Sequence, residues 1–175
     1  MTDSLFDGLS VQALAKCDPA KTGLLWSVFL SPEELLPAVR RLYETEYFIE
    51  DLTAIDAAEG YLLVYHFDHM DHPGRVALRV LISRETPELT SIASIFQGAE
   101  WHERETTDFY GIIFTGNPNP VPLLLMPEMV GRPLQKDDAL RSPLATLLPA
   151  SEFLRAVPGF DLLTPKAEDG AATQA

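Results

Sequence analysis

The sequence predicts an α+β domain in which helices pack on a mixed or antiparallel sheet, followed by an extended, proline-rich C-terminal arm. Three β-rich runs separated by turn signals predict the sheet: 47–55, 61–67 and 75–82. Helical signals lie on both sides of them, at 31–46 and 100–110. From residue 118 onward prolines recur, which predicts extended or turning chain. We therefore predict a domain at 1–140 and an arm at 141–175, disordered after Pro165.

The N-terminal residues predict one helix and one extended run. Leu5, Phe6, Leu9 and Leu14 have nearly helical spacing, so we expect a short helix within 4–16. The stretch 21–30 is rich in residues that favour strands.

A capping box is predicted to start the next helix. Ser31 would accept a hydrogen bond from the amide of Glu34, and the Glu34 carboxylate would bond back to the Ser31 amide. Pro32 would occupy the first helical position. Pro37 removes a backbone donor in the second turn, so it would bend or delay the helix.

The runs 61–67 and 75–82 should form an antiparallel hairpin, and their apolar content suits a sheet covered by helices on at least one face. A helical turn is expected around Ile92 to Phe96, ending near Gly98. Gly111 is placed to end the helix 100–110 in the left-handed conformation, after which 112–114 extends. The stretch 151–157 predicts a short helix.

Composition excludes several classes of protein. The 175 residues are 46% hydrophobic and 22% charged, which is typical of a globular domain. A net charge of −13 argues against nucleic-acid binding, which needs clustered Lys and Arg. Six acidic residues and no basic one lie in 44–59, so this side should face water or a basic partner. The acidic start predicts no secretory signal, and no apolar stretch reaches the roughly 20 residues of a bilayer span.

Cysteine content limits the redox chemistry of the chain. Cys17 is the only cysteine, so an internal disulfide is excluded. An all-cysteine iron–sulfur cluster would need about four thiolates. We expect Cys17 to be a small buried or half-exposed side chain rather than a nucleophile.

Histidines and carboxylates at the end of the second β-rich run and in the turn after it could bind a first-row metal. On a strand, however, they would not share one face, and their Asp-x-x-Asp-His-Pro-Gly context is typical of a turn. We favour a hairpin tip and predict no metal site. The residues concerned are His66, Asp68, His69, Asp71 and His72.

Helix 100–110 carries a second charged cluster. His102-Glu103 begins a zincin pattern, but Thr106 occupies the position of the second histidine, so that interpretation fails. Crowded carboxylates can perform acid–base chemistry. We favour structural or interface ion pairs instead, with Arg104 between Glu100 and Asp108. We therefore predict no catalytic residues in this chain.

The same helix carries a longer pattern, Glu103-Arg104-Glu105-x-x-Asp108-Phe109-Tyr110-Gly111, which Ile112-x-Phe114-x-Gly116-x-Pro118 continues. This pattern resembles the motif E-R-E-x-x-D-[LMF]-[FY]-G of the C subunit, or 30 kDa subunit, of the NADH:quinone oxidoreductase (complex I) family. Upstream, 51–56 and 64–66 are similar to the L-T-A-V-D and V-Y-H segments. Downstream, the similar residues are Pro127-Glu128 and Gly131-x-Pro133-Leu134-x-Lys136-Asp137.

The chain departs from the family pattern at three places. The usual Trp between L-P-E and Gly is absent, Gln135 replaces the usual Arg, and Asp138 replaces an aromatic residue. These departures leave the subfamily open, including a relative in a membrane-bound hydrogenase or in a quinone reductase with another electron donor.

The resemblance implies a non-redox subunit of the peripheral arm, on the cytoplasmic side of the membrane. It implies that the chain packs on the D subunit of complex I, which contributes to the quinone site, during electron transfer from NADH to quinone coupled to proton translocation. NADH, FMN, iron–sulfur clusters and quinone would bind to partner subunits, and this chain would bind no cofactor. Leu123 to Met126 could be apolar anchors for the partner, or a buried strand of this domain. The rival hypothesis is a stand-alone metal-dependent enzyme using His66 to His72.

Overall fold

A computed structural model of the protein describes residues 5–148 and 153–164. Its helices are α1 (Pro19–Thr22), α2 (Leu35–Glu44), α3 (Ala99–Tyr110) and α4 (Leu144–Leu147). Its strands are β1 (Val11–Lys16), β2 (Trp26–Leu30), β3 (Tyr47–Ala57), β4 (Gly60–His69), β5 (Val76–Ile82), β6 (Glu88–Thr90), β7 (Ile113–Thr115) and β8 (Phe153–Ala156).

In the described residues six strands form one sheet in the order β3-β4-β5-β2-β1-β8. β2 and β5 are parallel, and all other neighbours in this sheet are antiparallel. β6 and β7 form a separate parallel pair. The predicted α+β class with a mixed sheet is confirmed, as are the three predicted strands, β3, β4 and β5, and their antiparallel pairing.

The sheet buries side chains on both faces. On the first face, Trp26, Val28 and Leu30 of β2 pack in one core with Leu35 of α2 and Ala99 of α3. On the second face, alternate residues of the same strands pack against Leu144, Leu148, Phe160, Leu162 and Leu163. Burial on both faces explains why β4 is a nearly continuous apolar run rather than an alternating one.

The predicted helix within 4–16 is wrong, because Val11–Lys16 is strand β1. A β-bulge near Val11 lets this strand pair along β2, and the sheet pairing overrides the local helical spacing. The predicted extended run 21–30 is strand only from Trp26. Before it, Asp18 caps the short helix α1 by accepting from the Ala20 amide at 3.1 Å.

The predicted capping box is also wrong. Ser31 is extended and makes no side-chain capping bond, and 32–34 form a 3-10 turn before α2 begins at Leu35. Pro37 therefore lies in the first turn of α2, where a backbone amide has no helical partner and its absence costs little. The helix ends at Glu44, and Glu46 is left-handed with φ 64°.

The predictions for α3 are confirmed. The helix ends at Tyr110, and Gly111 is left-handed with φ 76° and donates its amide to the Thr107 carbonyl at 2.9 Å. The helical turn before α3 is also present, with the Phe96 amide on the Ile92 carbonyl.

After residue 140 the chain crosses the second face of the sheet. The predicted helix 151–157 is wrong, because residues 153–156 form β8, which pairs antiparallel with β1 at the sheet edge. Backbone pairing with that open edge explains the error. Residues 151 and 152 and the tail from Pro165 lie outside the described residues, and the domain boundary at 140 stays a prediction. No helix in the described part is long and apolar enough to cross a bilayer.

Candidate functional site

Asp108 fixes the proline-rich segment to the end of α3. Its Oδ2 atom accepts hydrogen bonds from the backbone amides of Leu123 (2.9 Å), Leu124 (2.7 Å) and Leu125 (3.0 Å). Burial alone raises the pKa of the Asp108 carboxyl, but these amides and the Arg132 guanidinium outweigh burial and lower it. The backbone at 123–125 is therefore held by charge-assisted hydrogen bonds, which are about twice as strong as neutral ones.

Arg104 holds the residues just before this point. Its Nε donates to the Val121 carbonyl at 2.9 Å and its Nη2 to the Pro122 carbonyl at 3.1 Å. The predicted pair with Glu100 is confirmed at 3.2 Å. The predicted contact with Asp108 is wrong, because the three Arg104 nitrogens donate to Val121, Glu100 and Pro122 instead.

Glu103 is fully buried and connects α3 to two other segments of the chain. Its Oε2 accepts from the Ser91 hydroxyl at 2.6 Å and the Asn117 amide at 2.7 Å, and its Oε1 accepts from the Ile92 amide at 2.8 Å. Burial raises the pKa of the Glu103 carboxyl and outweighs these hydrogen bonds, which act in the opposite direction. Glu103 is thus a structural residue inside the domain.

Asp56 is a second buried carboxylate that binds the end of the same segment. Its Oδ1 accepts from Arg84 Nη2 and Arg141 Nε, each at 3.0 Å, and its Oδ2 accepts from the Lys136 amide at 2.8 Å. Burial raises the pKa of the Asp56 carboxyl, but the Lys136 amide and the two guanidinium groups outweigh burial and lower it.

Between these two carboxylates, residues 132–135 lie on the C-terminal end of α3. Arg132 donates to the Asp108 carbonyl at 3.2 Å, and the Leu134 amide bonds to the Phe109 carbonyl at 3.3 Å. Gln135 donates to the Tyr110 carbonyl at 2.8 Å. Asp108, Arg104 and Asp56 thus fasten the segment near both of its ends.

We call residues 121–134 the apolar segment, because several large apolar side chains point away from the domain there. Leu124 is 60% exposed, Met126 73% and Val130 96%. Val121, Met129 and Leu134 are also exposed. Residues 123–126 are not in a strand, so the alternative of a buried strand is wrong.

The remaining residues of the family pattern lie at or near this surface. Phe109 and Tyr110 are half-buried, and the Tyr110 ring meets Tyr61 edge-on at 6.0 Å between centroids. The rest are exposed in the described structure: Glu105, Pro118, Pro127, Gly131, Pro133, Lys136 and Asp137.

The histidine-rich stretch lies at the other end of the β3–β4 hairpin, where Tyr47 pairs with His69. Asp68 accepts from the amides of His69 and Gly74, each at 2.8 Å, and His69 Nδ1 accepts from the Asp71 amide at 3.1 Å. His66 pairs instead with Asp51 at 2.7 Å. The predicted turn is confirmed, and no group of three His, Cys, Asp or Glu side chains within the described ranges is arranged to hold a metal.

Sequence reasoning missed Asp56 as a site residue, and with it Arg84 and Arg141. A signal for Asp56 was present, because it follows Leu52 and Ala54 at the spacing of the core-facing side of a strand. A carboxylate at such a position requires charged or hydrogen-bonding partners. Nothing local identified those partners, since Arg141 lies far along the chain.

A firmly folded α+β domain that displays an ordered apolar segment is a structure typical of subunits of larger assemblies. A sequence model of the family "Respiratory-chain NADH dehydrogenase, 30 Kd subunit" matches residues 28–143. The chain belongs to this family, so the resemblance seen in 48–137 is confirmed.

Three curated relatives illustrate the range of the family. The chain is 33% identical to the NADH-quinone oxidoreductase C subunit of Roseiflexus sp. (strain RS-1) over 118 residues, 63% of this chain and 68% of that protein. It is 43% identical to the F(420)H(2) dehydrogenase C subunit of Methanosarcina mazei over 75 residues, 42% of this chain and 48% of that protein. It is 40% identical to the NADH-quinone oxidoreductase C/D subunit of Phocaeicola vulgatus over 100 residues, 55% of this chain and 19% of that protein.

A solved structure shares the fold. A chain of the membrane-bound sulfane sulfur reductase, an archaeal respiratory membrane complex, superposes with a TM-score of 0.60 at 20% identity. The match covers 80% of this chain and 81% of that one. At this identity the likeness concerns the fold alone.

Proposed function

We propose that this chain is a structural component of a membrane-bound NADH:quinone oxidoreductase and that it holds the D subunit of that assembly in place. Family membership supports the oxidoreductase assembly. The combined C/D name of the Phocaeicola relative supports the D subunit as the partner, since that name describes both subunits in one protein.

The observation that carries the proposal is the way Asp108 holds the apolar segment. Three charge-assisted hydrogen bonds order the backbone at 123–125, while the Leu124 and Met126 side chains remain exposed. A pre-ordered apolar surface binds a partner without a further loss of loop entropy. Exposed Leu and Met side chains on such a backbone are suited to fill pockets on a partner.

A rigid subunit of this kind acts on electron transfer through position. In this proposal NADH, FMN, the iron–sulfur clusters and the quinone bind to the other subunits, and this chain fixes the D subunit relative to them. The assembly couples electron transfer to proton translocation, and this chain lies in its peripheral arm, on the cytoplasmic side of the membrane. The single cysteine supports this division of roles, because a cluster needs about four thiolates.

A second candidate is the equivalent subunit of an assembly with another electron donor. The Methanosarcina relative favours it, because that protein is named as part of an F(420)H(2) dehydrogenase and is 43% identical over the matched part. The docking role of the apolar segment is the same in both candidates.

The docking role is tested by a double substitution, Leu124→Glu and Met126→Glu, in a tagged chain expressed in its native host. Charged side chains cannot fill an apolar pocket without a large desolvation cost, so we expect recovery of the D subunit from solubilised membranes to fall about tenfold or more. Quantitative mass spectrometry of the purified complex measures this recovery.

The matched control is Met70→Glu. Met70 is 79% exposed and lies at the opposite end of the β3–β4 hairpin, so this change should leave the recovery of the D subunit unchanged. Equal recovery in the double variant and in the control would refute the docking role. Reduction of the copurified centres by added NADH, followed in the absorption spectrum, distinguishes the NADH assembly from one with another donor.

A further inference from the structure

A cavity of about 250 Å³ lies on the second face of the sheet, away from the apolar segment. Its floor is formed by Ser27 and Phe29 of β2 and by Arg79 of β5. Leu24, Leu148 and Leu163 contribute apolar walls. Nothing in the proposed function uses this cavity.

Arg79 is the unusual residue in this cavity. It donates through Nη1 to the Ser27 hydroxyl, and its guanidinium carbon lies 5.7 Å from the centre of the Phe29 ring. Its Nε is buried and has no hydrogen-bond partner in the described structure. Burial lowers the pKa of Arg79, although Cys17, which also lines the cavity, acts in the opposite direction. An arginine side chain remains protonated in proteins.

The charge of Arg79 has no carboxylate partner within residues 5–148 and 153–164. Arg75, Arg84, Arg104 and Arg141 all pair with Asp or Glu in the same range. A half-buried charge without a carboxylate partner has lost part of its hydration, and an anion that enters the cavity would compensate for that loss.

The other lining groups narrow the class of anion. Lys21 also lines the cavity, but its side chain is 81% exposed and pairs with Asp18 at 3.8 Å, so the half-buried Arg79 is the remaining positive charge. One guanidinium balances a single negative charge, and its planar N–H groups match the two oxygens of a carboxylate. Because the Ser27 oxygen accepts from Arg79, its hydroxyl proton is available to the same ligand. The leucine walls suit an apolar chain.

We infer that this cavity binds a small monocarboxylate with a short apolar chain, whose carboxylate pairs with Arg79 and Ser27. This is a ligand site separate from the docking surface. Its failure would leave the proposed function untouched, because the test measures binding to the chain alone.

The test is a titration of the purified full chain with hexanoate, followed by calorimetry and by the shift in melting temperature. We expect saturable 1:1 binding and a rise in melting temperature, since a ligand that binds only the folded state stabilises it. Hexanamide has the same shape without the charge and should bind at least about tenfold more weakly. Equal binding of hexanamide, or no heat of binding up to about 10 mM hexanoate, would overturn the inference.

Variants assign the binding to the cavity. Arg79→Met should weaken hexanoate binding about tenfold or more, whereas Arg40→Met, the same change at an exposed arginine of α2, should not alter it. Without ligand, Arg79→Met should melt at the same temperature as the wild type or higher, because it removes a half-buried charge that has no carboxylate partner among the described residues. A marked fall in melting temperature would show a structural role for Arg79 and would count against the site.

Two further comparisons complete the experiment. Ser27→Ala keeps Arg79 and should weaken binding severalfold, which tests the site independently of the arginine substitution. Inorganic phosphate should compete poorly, because it carries more charge than one guanidinium balances and has no apolar chain. Phosphate binding tighter than hexanoate would overturn the assignment to a carboxylate.

Discussion

Two carboxylates of α3, Glu103 and Asp108, have pKa values shifted in opposite directions. Both are buried, so burial raises the pKa of each. Asp108 receives three backbone amides on one oxygen, and these lower its pKa below the ordinary value. Glu103 receives a hydroxyl, a side-chain amide and a backbone amide, and burial prevails. Acidification should therefore remove the stabilisation that Asp108 provides, whereas a rise in pH should remove the stabilisation that Glu103 provides.

Asp108→Asn should remove a stabilisation that depends on the charged form. Because the folded-state pKa is lowered, this stabilisation is present above the unfolded pKa of about 3.9 and is lost as the pH falls through the folded value. We expect the variant to be less stable at pH 7 by about 1–3 kcal/mol. The difference from the wild type should shrink as the pH approaches about 2.

Urea denaturation over this pH range measures the effect, with Asp137→Asn, an exposed carboxylate, as the control. Hydrogen exchange at the amides of 123–125 should accelerate in the Asp108 variant only. Unchanged exchange there would show that these amides do not depend on Asp108.

Glu103→Gln should change the pH dependence in the other range. Because the folded-state pKa is raised, the protonated form favours folding. The stability that protonated Glu103 contributes is fully present below the unfolded-state pKa of about 4.3. It is lost as the pH rises through the pKa of Glu103 in the folded state. The variant should lack this loss of stability on going from acid to neutral pH. Glu105→Gln, an exposed neighbour, should keep it, and identical stability profiles for both variants would contradict the assignment to Glu103.

At the scale of elements, the end of α3 determines where the apolar segment lies. Gly111 ends the helix in the left-handed conformation, and a β-carbon there would lie 3.3 Å from Arg132 Nε. Arg132 in turn bonds to the Asp108 carbonyl. The helix end and the segment are therefore packed against one another.

Gly111→Ala should destabilise the fold by about 1–2 kcal/mol, because a left-handed backbone is unfavourable for any residue with a β-carbon. Gly98→Ala is the matched control. Gly98 has φ −60° and an added β-carbon would meet only Ile49, at 3.9 Å, so this change should be neutral or slightly stabilising. Thermal melts of both variants compare the two glycines directly, and equal melting temperatures would contradict strain at Gly111.

At the scale of the whole molecule, Asp56 connects the sheet to the chain that follows the apolar segment. It lies in β3 and accepts from Lys136 and Arg141, which are distant in sequence, as well as from Arg84. Beyond them Leu144 is buried on the second face. The path from the first face of the sheet to the second therefore passes this carboxylate.

Asp56→Ala should lower stability by about 1–3 kcal/mol, because it leaves hydrogen-bond donors at Arg84 and the Lys136 amide without their buried acceptor. It should also make 136–143 more sensitive to limited proteolysis. Asp138 also pairs with Arg141, but its side chain is 96% exposed, so Asp138→Ala should have little effect. Cleavage at equal rates in both variants would argue against Asp56 as the anchor.

The sequence was sufficient for features that depend on local signals. The β3, β4 and β5 strands, helix α3 and its glycine stop were predicted from periodicity and turn residues. The motif from Glu103 to Gly111 was sufficient for the family. Predictions failed where a distant partner prevailed, as at β1 and β8, which became strands because each pairs with an edge supplied by another part of the chain.

Residue types at short spacing were enough to predict the α+β class, the family and the charged helix. The partners of those charges became known only from the folded chain. Asp108 binds amides at 123–125 rather than Arg104, and Asp56 is brought to Arg141 by the course of the chain around the sheet. The physical reason is that a buried carboxylate takes the donors that folding brings to it, and those donors are distant in sequence.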